Sequence, residues 1–346
     1  MPPRIAYWTS AFEPHMEAIS SEVALLRRRF PGSVAWGLSQ RHWMLASWRR
    51  GFCLHPTFHL LFRAAVRVLE PAFHLNHIFG SVGDWFYLQG QRRRPTVLTM
   101  AAYAEPVSRT LLDRVDRFVV EYPGGAKVLR DLGIDAERIR LIYPPVDLAR
   151  FTPSPPPEGP FTVLFASSPD EESWLEARGV PLLLETAALR PTMRFRLLWR
   201  PWGNSLKRVR AWITDRELKN VELIVGRVTD MAREYREAHV TAVPFTHVDQ
   251  CKPAPNSLVE SLASGRPVLT TPVVGVSDLV REGRAGIAEE AIAQSLANGL
   301  DNLRADWASF SSRARELAEQ NFAAENFVKA YQQVYKEVLN GSDTDV

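Results

Sequence analysis

The sequence predicts an α/β protein of two domains, each a parallel sheet flanked by helices, and three observations predict it. Short apolar runs alternate with amphipathic stretches over almost all of the 346 residues, the pattern of parallel strands with helices on both faces. The stretch Pro153 to Pro160 reads PSPPPEGP, a stiff segment that cannot lie in a helix or a central strand and so divides the chain. The alternation then restarts, and the length favours two domains of about 150 residues each over one core.

In the first half, Ile5 to Thr9 reads as a strand, and Glu17 to Arg28 as a helix with Ile19, Val23, Leu25 and Leu26 facing inward. Pro31-Gly32 breaks that helix, and Ser33 to Leu38 is the second strand. A helix over Thr57 to Leu69 ends at Pro71, and a strand follows at Phe73 to Phe79. Thr96 to Thr99, Phe118 to Glu121 and Ile139 to Tyr143 are further strands, and Gly133 stops a helix over Ala126 to Leu132. His74 and His77 lie three apart; on a strand that spacing turns them to opposite faces and argues against a shared metal.

In the second half, Phe161 to Phe165, Phe195 to Trp199 and Val221 to Val225 read as strands, and Val180 to Leu189 as a helix. Thr229 and Asp230 can cap a helix that carries Met231 and Tyr235. Val240 to Phe245 is a buried strand that delivers the chain to KPAPNSLVESLASGRP, Lys252 to Pro267. There Pro255, Asn256 and Ser257 mark a helix start, while Gly265 and Pro267 stop it before the apolar run Val268 to Thr271. Helical patterns fill Glu289 to Leu303, Asp306 to Glu319 and Ala323 to Leu339. The expected layout is residues 1–152, a linker 153–160, a second domain 161–322, a closing helix 323–340 and a polar tail 341–346.

Composition excludes several classes. The chain is 46% hydrophobic and 23% charged, as soluble globular proteins are. Cys53 and Cys251 make neither a disulfide framework nor a C-x-x-C pair, so a reducing cytoplasm is the expected setting. No apolar run approaches a bilayer span, and no secretory leader pattern opens the sequence. The formal charge of +3 is unevenly spread: residues 1–150 hold 20 Lys and Arg against 13 Asp and Glu, and the remainder 22 against 26. Arg27-Arg28-Arg29, Arg49-Arg50 and Arg92-Arg93-Arg94 cluster there, interleaved with Trp36, Trp43, Trp48 and Phe52. Such a half suits an anionic acceptor or the inner face of a membrane. No nucleic-acid recognition motif accompanies the charge. Asp343-Thr344-Asp345 in the tail is the one Asp-x-Asp triplet, and no Walker loop or nucleophile elbow occurs.

A strand that feeds a loop and then a helix N-terminus is where open α/β sheets bind ligands. The first amides of the helix lack partners within it and carry the positive end of its dipole, so they suit a phosphate. Ser257 and Glu260 also stand at capping-box spacing, and Glu260 then bonds back to the helix start with no ligand at all. His247, Asp249 and Cys251 alternate just before, as polar loop contacts rather than a closed metal site.

The stretch from Lys252 to Pro267 resembles the donor-site motif of family 4 GT-B glycosyltransferases, and Arg114 to Phe151, with Pro144, Val146, Asp147 and Phe151, resembles the end of their first domain. Gly226, Pro244, Gly275 and Gly286 stand in the same order and spacing. The resemblance implies a GT-B fold, two Rossmann-like domains with parallel sheets facing across a cleft, with the last helix crossing back to the first domain. It implies a retaining, metal-independent hexosyltransferase. Glu260 would bind the ribose of a nucleotide-sugar, the amides of Asn256, Ser257 and Leu258 after Pro255 the diphosphate, and Gly226 with Arg227 the base.

Four departures from that family bear on the chemistry. Lys252 stands where the first of two glutamates eight apart would touch the transferred sugar; a lysine there can meet the diphosphate, an acidic sugar or Asp249, or simply be solvated. Ser167 or Ser168 replaces a phosphate-binding arginine, while Arg178 can fill the lysine position that follows and Arg200 is a second cation. His15-Met16-Glu17-Ala18 replaces a glycine pair, and Met100-Ala101-Ala102-Tyr103 lacks a histidine. The expected catalytic set is Arg178, Lys252 and Glu260, with Arg200, Asp249 and the helix-start residues on the donor and His15, Tyr103 and Glu105 on the acceptor side. No cofactor is expected beyond a UDP- or GDP-linked sugar as substrate, with a glycan or lipid-linked acceptor. The alternative is a GT-B protein without catalysis that serves as a binding or scaffold partner; an epimerase would need an acid/base pair that no residues supply.

Overall fold

The computed structural model describes residues 2–9, 18–38, 44–47, 51–80, 87–88, 94–102, 108–248 and 251–341. The chain divides into two compact units, residues 1–143 with 325–346, and residues 144–324.

The first unit holds β1 (Ile5–Thr9), β2 (Val34–Leu38), β3 (Met44–Ser47), β4 (Gly51–Leu54), β5 (Leu75–Gly80), β6 (Thr96–Met100), β7 (Arg117–Val120) and β8 (Ile139–Leu141). Its helices before the crossing are α1 (Ala18–Arg29), α2 (His59–Leu69), α3 (Arg109–Leu112) and α4 (Pro123–Asp131). The strands form one sheet in the order β3-β4-β2-β1-β5-β6-β7-β8. Pairing is parallel throughout, with register such as Ile5 opposite Leu75, until the edge, where β3 runs antiparallel to β4. That edge corrects the all-parallel expectation. Only residues 48–50 join β3 to β4, and so short a connection permits an antiparallel pair but no crossover. The basic and aromatic residues of that segment mask its strand pattern.

β1, β5 and β6 are buried along their whole length, as parallel strands covered on both faces must be. One of those faces is covered by α1 and by the chain's last helix, α12 (Ala324–Gly341), numbered after the helices of the second unit. Phe327, Tyr331, Val334, Tyr335 and Val338 of α12 join Ile5, Tyr7, Phe79, Val97 and Val119 in one core. A buried polar chain runs through it. The Tyr335 hydroxyl meets His77 Nδ1 at 2.6 Å, His77 Nε2 meets Thr99 Oγ1 at 2.8 Å, and Thr99 meets the Tyr331 hydroxyl at 2.8 Å. Burial holds the His77 imidazole well below its ordinary pKa, so it stays neutral. His74 lies before β5 and takes the Arg4 amide on Nδ1 at 2.9 Å, so each histidine has its own structural partners.

The second unit holds β9 (Thr162–Phe165), β10 (Arg194–Trp199), β11 (Val221–Val225), β12 (Val240–Val243), β13 (Val268–Thr270) and β14 (Gly286–Ala288). Its helices are α5 (Val180–Leu189), α6 (Ser205–Asp215), α7 (Met231–Arg236), α8 (Asn256–Ala263), α9 (Ser277–Glu282), α10 (Ala293–Ala305) and α11 (Trp307–Asn321). The sheet is parallel throughout in the order β11-β10-β9-β12-β13-β14. Two differences from the sequence reading stand out. Helix α6 was not expected, because SLKRVRAWITD hides Leu206, Val209, Trp212 and Ile213 among cations, yet those four pack on the core. Helix α10 begins at Ala293 rather than Glu289, because the Glu289 amide still donates to Thr270 O at 3.0 Å and extends the strand pairing.

The strand orders locate the crevices. From β9 the chain winds to β10 and β11 on one side, then returns to β12 and winds the other way, so the carboxyl ends of β9 and β12 bound a topological switch point. In the first unit the switch lies between β1 and β5, and the segments that follow those strands, with His15, lie outside the described residues.

Because α12 completes the first core, Phe327→Ala should destabilise that unit by about 3–5 kcal/mol, read as a lowered urea midpoint for the transition that the aromatic residues of α12 report.

Candidate functional site

The candidate residues of the second unit line up along the carboxyl edge of its sheet. Gly226 and Arg227 follow β11, Arg200 follows β10, Ser167 follows β9, and the loop after β12 leads through Lys252 to the start of α8. β10 and β11 end side by side, with Trp199 paired to Val225 and the Gly226 amide donating to Trp199 O at 2.9 Å. Arg227 and Arg200 are exposed there.

At the switch point itself, the Ser167 hydroxyl meets the Ser257 hydroxyl at 2.8 Å, tying the end of β9 to the mouth of α8. Pro255 is the N-cap, with φ −66° and ψ 140°, and no side chain caps the helix. The capping-box reading of Ser257 and Glu260 is thereby corrected: Ser257 lies inside the helix, two residues past the N-cap position that role requires. The Leu258 and Val259 amides both donate to Pro255 O, at 3.0 and 3.2 Å. The Asn256 and Ser257 amides have no backbone acceptor among the described residues, so those two remain for an anion at the positive end of the helix dipole.

Arg178 sits just before α5, its guanidinium 5.1 Å over the Phe245 ring. Gly179 permits this: its φ is +67°, and a Cβ there would lie 1.7 Å from Pro244 O. Burial lowers the Arg178 pKa from the ordinary arginine value; Cys251 and Asp170 oppose that shift and Arg200 adds to it. The Arg200 charge thus adds to the lowering of the Arg178 pKa, as like charges do. Cys251 is buried, its thiol directed to Ala177 O at 3.9 Å, and Lys252 beside it is half-buried. His247 is exposed, with Nδ1 on the Thr246 hydroxyl at 2.8 Å. Tyr103, Glu105 and Asp249 lie outside the described residues.

Glu260 lies on the second turn of α8. Its Oε2 accepts from the wholly buried Tyr235 hydroxyl at 3.0 Å, and this is its one side-chain hydrogen bond among the described residues. Burial pushes the Glu260 carboxyl up to about 7, against the opposing pull of the Tyr235 hydroxyl and the Arg150 charge. At neutral pH it is poised between acid and carboxylate. Tyr235 and Arg150 are neighbours of Glu260 that sequence reasoning missed. The signal for Tyr235 was its place on a capped helix next to the motif strand; nothing local marked Arg150.

The raised carboxyl pKa makes a stability prediction. Between the ordinary carboxyl value and about 7, the folded state binds the proton that the unfolded chain has released, so stability falls as pH rises through that window and the cost is fully present above it. Glu260→Gln removes the cost. The ligand-free variant should melt above wild type at pH 8 and level with it near pH 4, measured by thermal denaturation across pH.

Residues 162–306 match the family described as Glycosyl transferases group 1. D-inositol 3-phosphate glycosyltransferase of Pseudarthrobacter chlorophenolicus is 27% identical over 235 residues, covering 63% of this chain and 52% of that protein. The enzyme of that name from Mycolicibacterium vanbaalenii is 27% identical over 246 residues, covering 64% and 52%. The chain thus spans about half the length of these curated relatives. Among solved structures, Anabaena HepE in complex with UDP superposes with a TM-score of 0.77 at 16% identity, over 96% of this chain and 100% of that one. Sucrose-phosphate synthase from Thermosynechococcus elongatus does so with 0.76 at 17% identity, over 98% and 100%. At such identities the likeness is one of fold: the chain has the GT-B fold of two Rossmann-like domains.

Proposed function

We propose that the protein is a glycosyltransferase that takes a hexose from a nucleotide-sugar bound along the carboxyl edge of the second sheet, with retention of configuration and without a metal. The observation that carries this reading is Glu260, on the second turn of α8, with Oε2 held by Tyr235. A carboxylate so placed can take both ribose hydroxyls while the diphosphate lies on the Asn256 and Ser257 amides. Arg178, Arg200 and Lys252 supply cations, and the base lies toward Gly226 and Arg227. As the bond from the anomeric carbon to the diphosphate breaks, negative charge grows on the departing oxygen, and these groups are worth most there. Guanidinium and ammonium groups do this without offering a metal any ligand.

Uridine is the favoured base, since similar solved structures are complexes with UDP, or with UDP and glucose; GDP-linked donors are the second choice. The acceptor is proposed for the first unit, whose basic residues suit a phosphorylated or lipid-linked group. The curated relatives, named for an inositol phosphate, fit that charge. Contact of this basic half with the inner face of a membrane belongs to the same proposal. No helix of the described residues is long and apolar enough to cross a bilayer. The second reading, a binding protein without turnover, is favoured by the Ser167 to Ser257 contact, which puts two neutral hydroxyls where the resemblance expects a guanidinium.

A thermal-shift panel of UDP, GDP, ADP and dTDP with their common sugars tests both. A ligand at 100 times its dissociation constant stabilises the folded state by about 2.7 kcal/mol. A uridine-specific shift that persists in EDTA and is lost in Glu260→Ala is expected. No shift with any nucleotide would overturn the donor site, and a shift with no sugar release to water or acceptor would select the binding protein. Because the ribose hydroxyls donate to the carboxylate form, UDP affinity should also rise with pH through about 7, by up to about tenfold per unit below the midpoint, and be flat in Glu260→Gln.

A further inference from the structure

Helix α7 has six residues, too few to persist by its own hydrogen bonds. It is instead pinned by side chains at both ends. Asp230 caps it by accepting the Arg233 amide at 3.1 Å. The guanidinium of Arg196, from β10, reaches Glu234 at 2.9 Å and Glu237 at 3.2 Å. At its last turn the wholly buried Arg266 donates to Tyr235 O at 3.1 Å and to Arg236 O at 3.1 Å. Phe151 packs edge-on against the Tyr235 ring at 5.9 Å and 70°. Every one of these contacts constrains the position of one side chain, and that side chain ends on Glu260.

The Tyr235 phenol is buried beside the carboxylate, and desolvation first, then the Glu260 charge, raises its pKa well above the ordinary value. It therefore keeps its proton at any physiological pH, and that proton can be donated to Oε2 at 3.0 Å. A donor so placed favours the charged form of Glu260 and leaves Oε1 without a hydrogen bond among the described residues.

We propose that Tyr235 is the positioning residue of the donor site: its hydroxyl aims the Glu260 carboxylate and favours its charged form, so that it can receive the hydroxyl groups of a bound ribose. The proposal rests on the ribose assignment made above and adds the group that makes it work at neutral pH. Tyr235 touches no substrate itself. Its effect passes through Glu260 alone, so its loss should move a pH midpoint rather than scale binding at every pH.

Tyr235→Phe keeps the ring against Phe151 and removes only the hydroxyl. With 13C-labelled glutamate, the Glu260 carboxyl of the nucleotide-free variant should titrate about one unit above wild type, a tenfold change in its ionisation ratio. UDP affinity, measured by calorimetry, should fall several-fold at pH 7 and return to the wild-type level near pH 9. A carboxyl midpoint that does not move, or an affinity loss of equal size at every pH, overturns the proposal. A carboxyl midpoint that moves while UDP binding ignores pH supports the hold of Tyr235 on Glu260 and overturns the ribose assignment instead. A second measurement needs no folded Phe variant: the Tyr235 ring carbon bearing the hydroxyl should titrate with Glu260 in wild type and stay flat in Glu260→Gln, and a ring carbon that is flat in both overturns the proposal.

Discussion

The second unit depends on one buried guanidinium. Arg266 is fully buried, lies 5.4 Å over the Trp307 ring, and meets five oxygen acceptors between 2.7 and 3.1 Å: the carbonyls of Ser154, Pro155, Tyr235 and Arg236 and the Ser154 hydroxyl. Carbonyl dipoles rather than a carboxylate compensate the charge, and burial lowers its pKa to about 10, which leaves it ionised at any physiological pH. A buried arginine is tolerable only when every donor is used. Here that requirement forces three separate segments, the proline-rich stretch, the end of α7 and the turn after α8, into one arrangement. Arg315 repeats the device beneath α8, donating at 2.7 Å to both Phe151 O and Ala263 O. The site at the other end of α8 is thus held from behind by cations that never approach a ligand.

How far the sequence could be read follows from this. The alternation of strands and helices was legible because a parallel strand covered on both faces is buried at every position and so mostly apolar, as Val240–Val243 and Thr162–Phe165 are, each with a single threonine. The start of α8 was legible because Pro255, Asn256 and Ser257 obey local rules of backbone geometry. What could not be read were contacts between residues far apart in sequence. Glu260 obeys a capping-box spacing, yet its partner is Tyr235, 25 residues away. Ser167 was visible as a departure, but only the sheet order, which sets β9 beside β12, shows it touching Ser257. The antiparallel edge of β3 and β4 escaped for a different reason: four-residue strands carry too short a pattern to separate from a basic, aromatic surface loop.

The two switch points differ in how much chemistry they can be assigned. In the second unit, cations, open amides and a poised carboxyl converge within one sheet edge. Such a mixture suits a ligand with a strongly anionic centre and a hydroxyl-bearing neighbour. In the first unit the core is rich in hydroxyls, but Tyr7, Tyr331, Tyr335, His77 and Thr99 satisfy one another beneath α12. They fix the last helix on the sheet and are spent there.

That last helix also has a bearing on how the protein is made. The first unit is discontinuous: residues 144–324 are inserted between its β8 and its α12. As the chain leaves the ribosome, the sheet of the first unit emerges with one apolar face bare, and the helix that covers it arrives only after the whole insertion. At about 5–20 residues per second, that interval is on the order of ten to thirty seconds. During it Tyr7, Phe79 and Val97 have no partner from α12. The second unit, by contrast, is complete when its own last residue appears, so it can finish folding first, and the nascent first unit must be kept from its neighbours until α12 has been made.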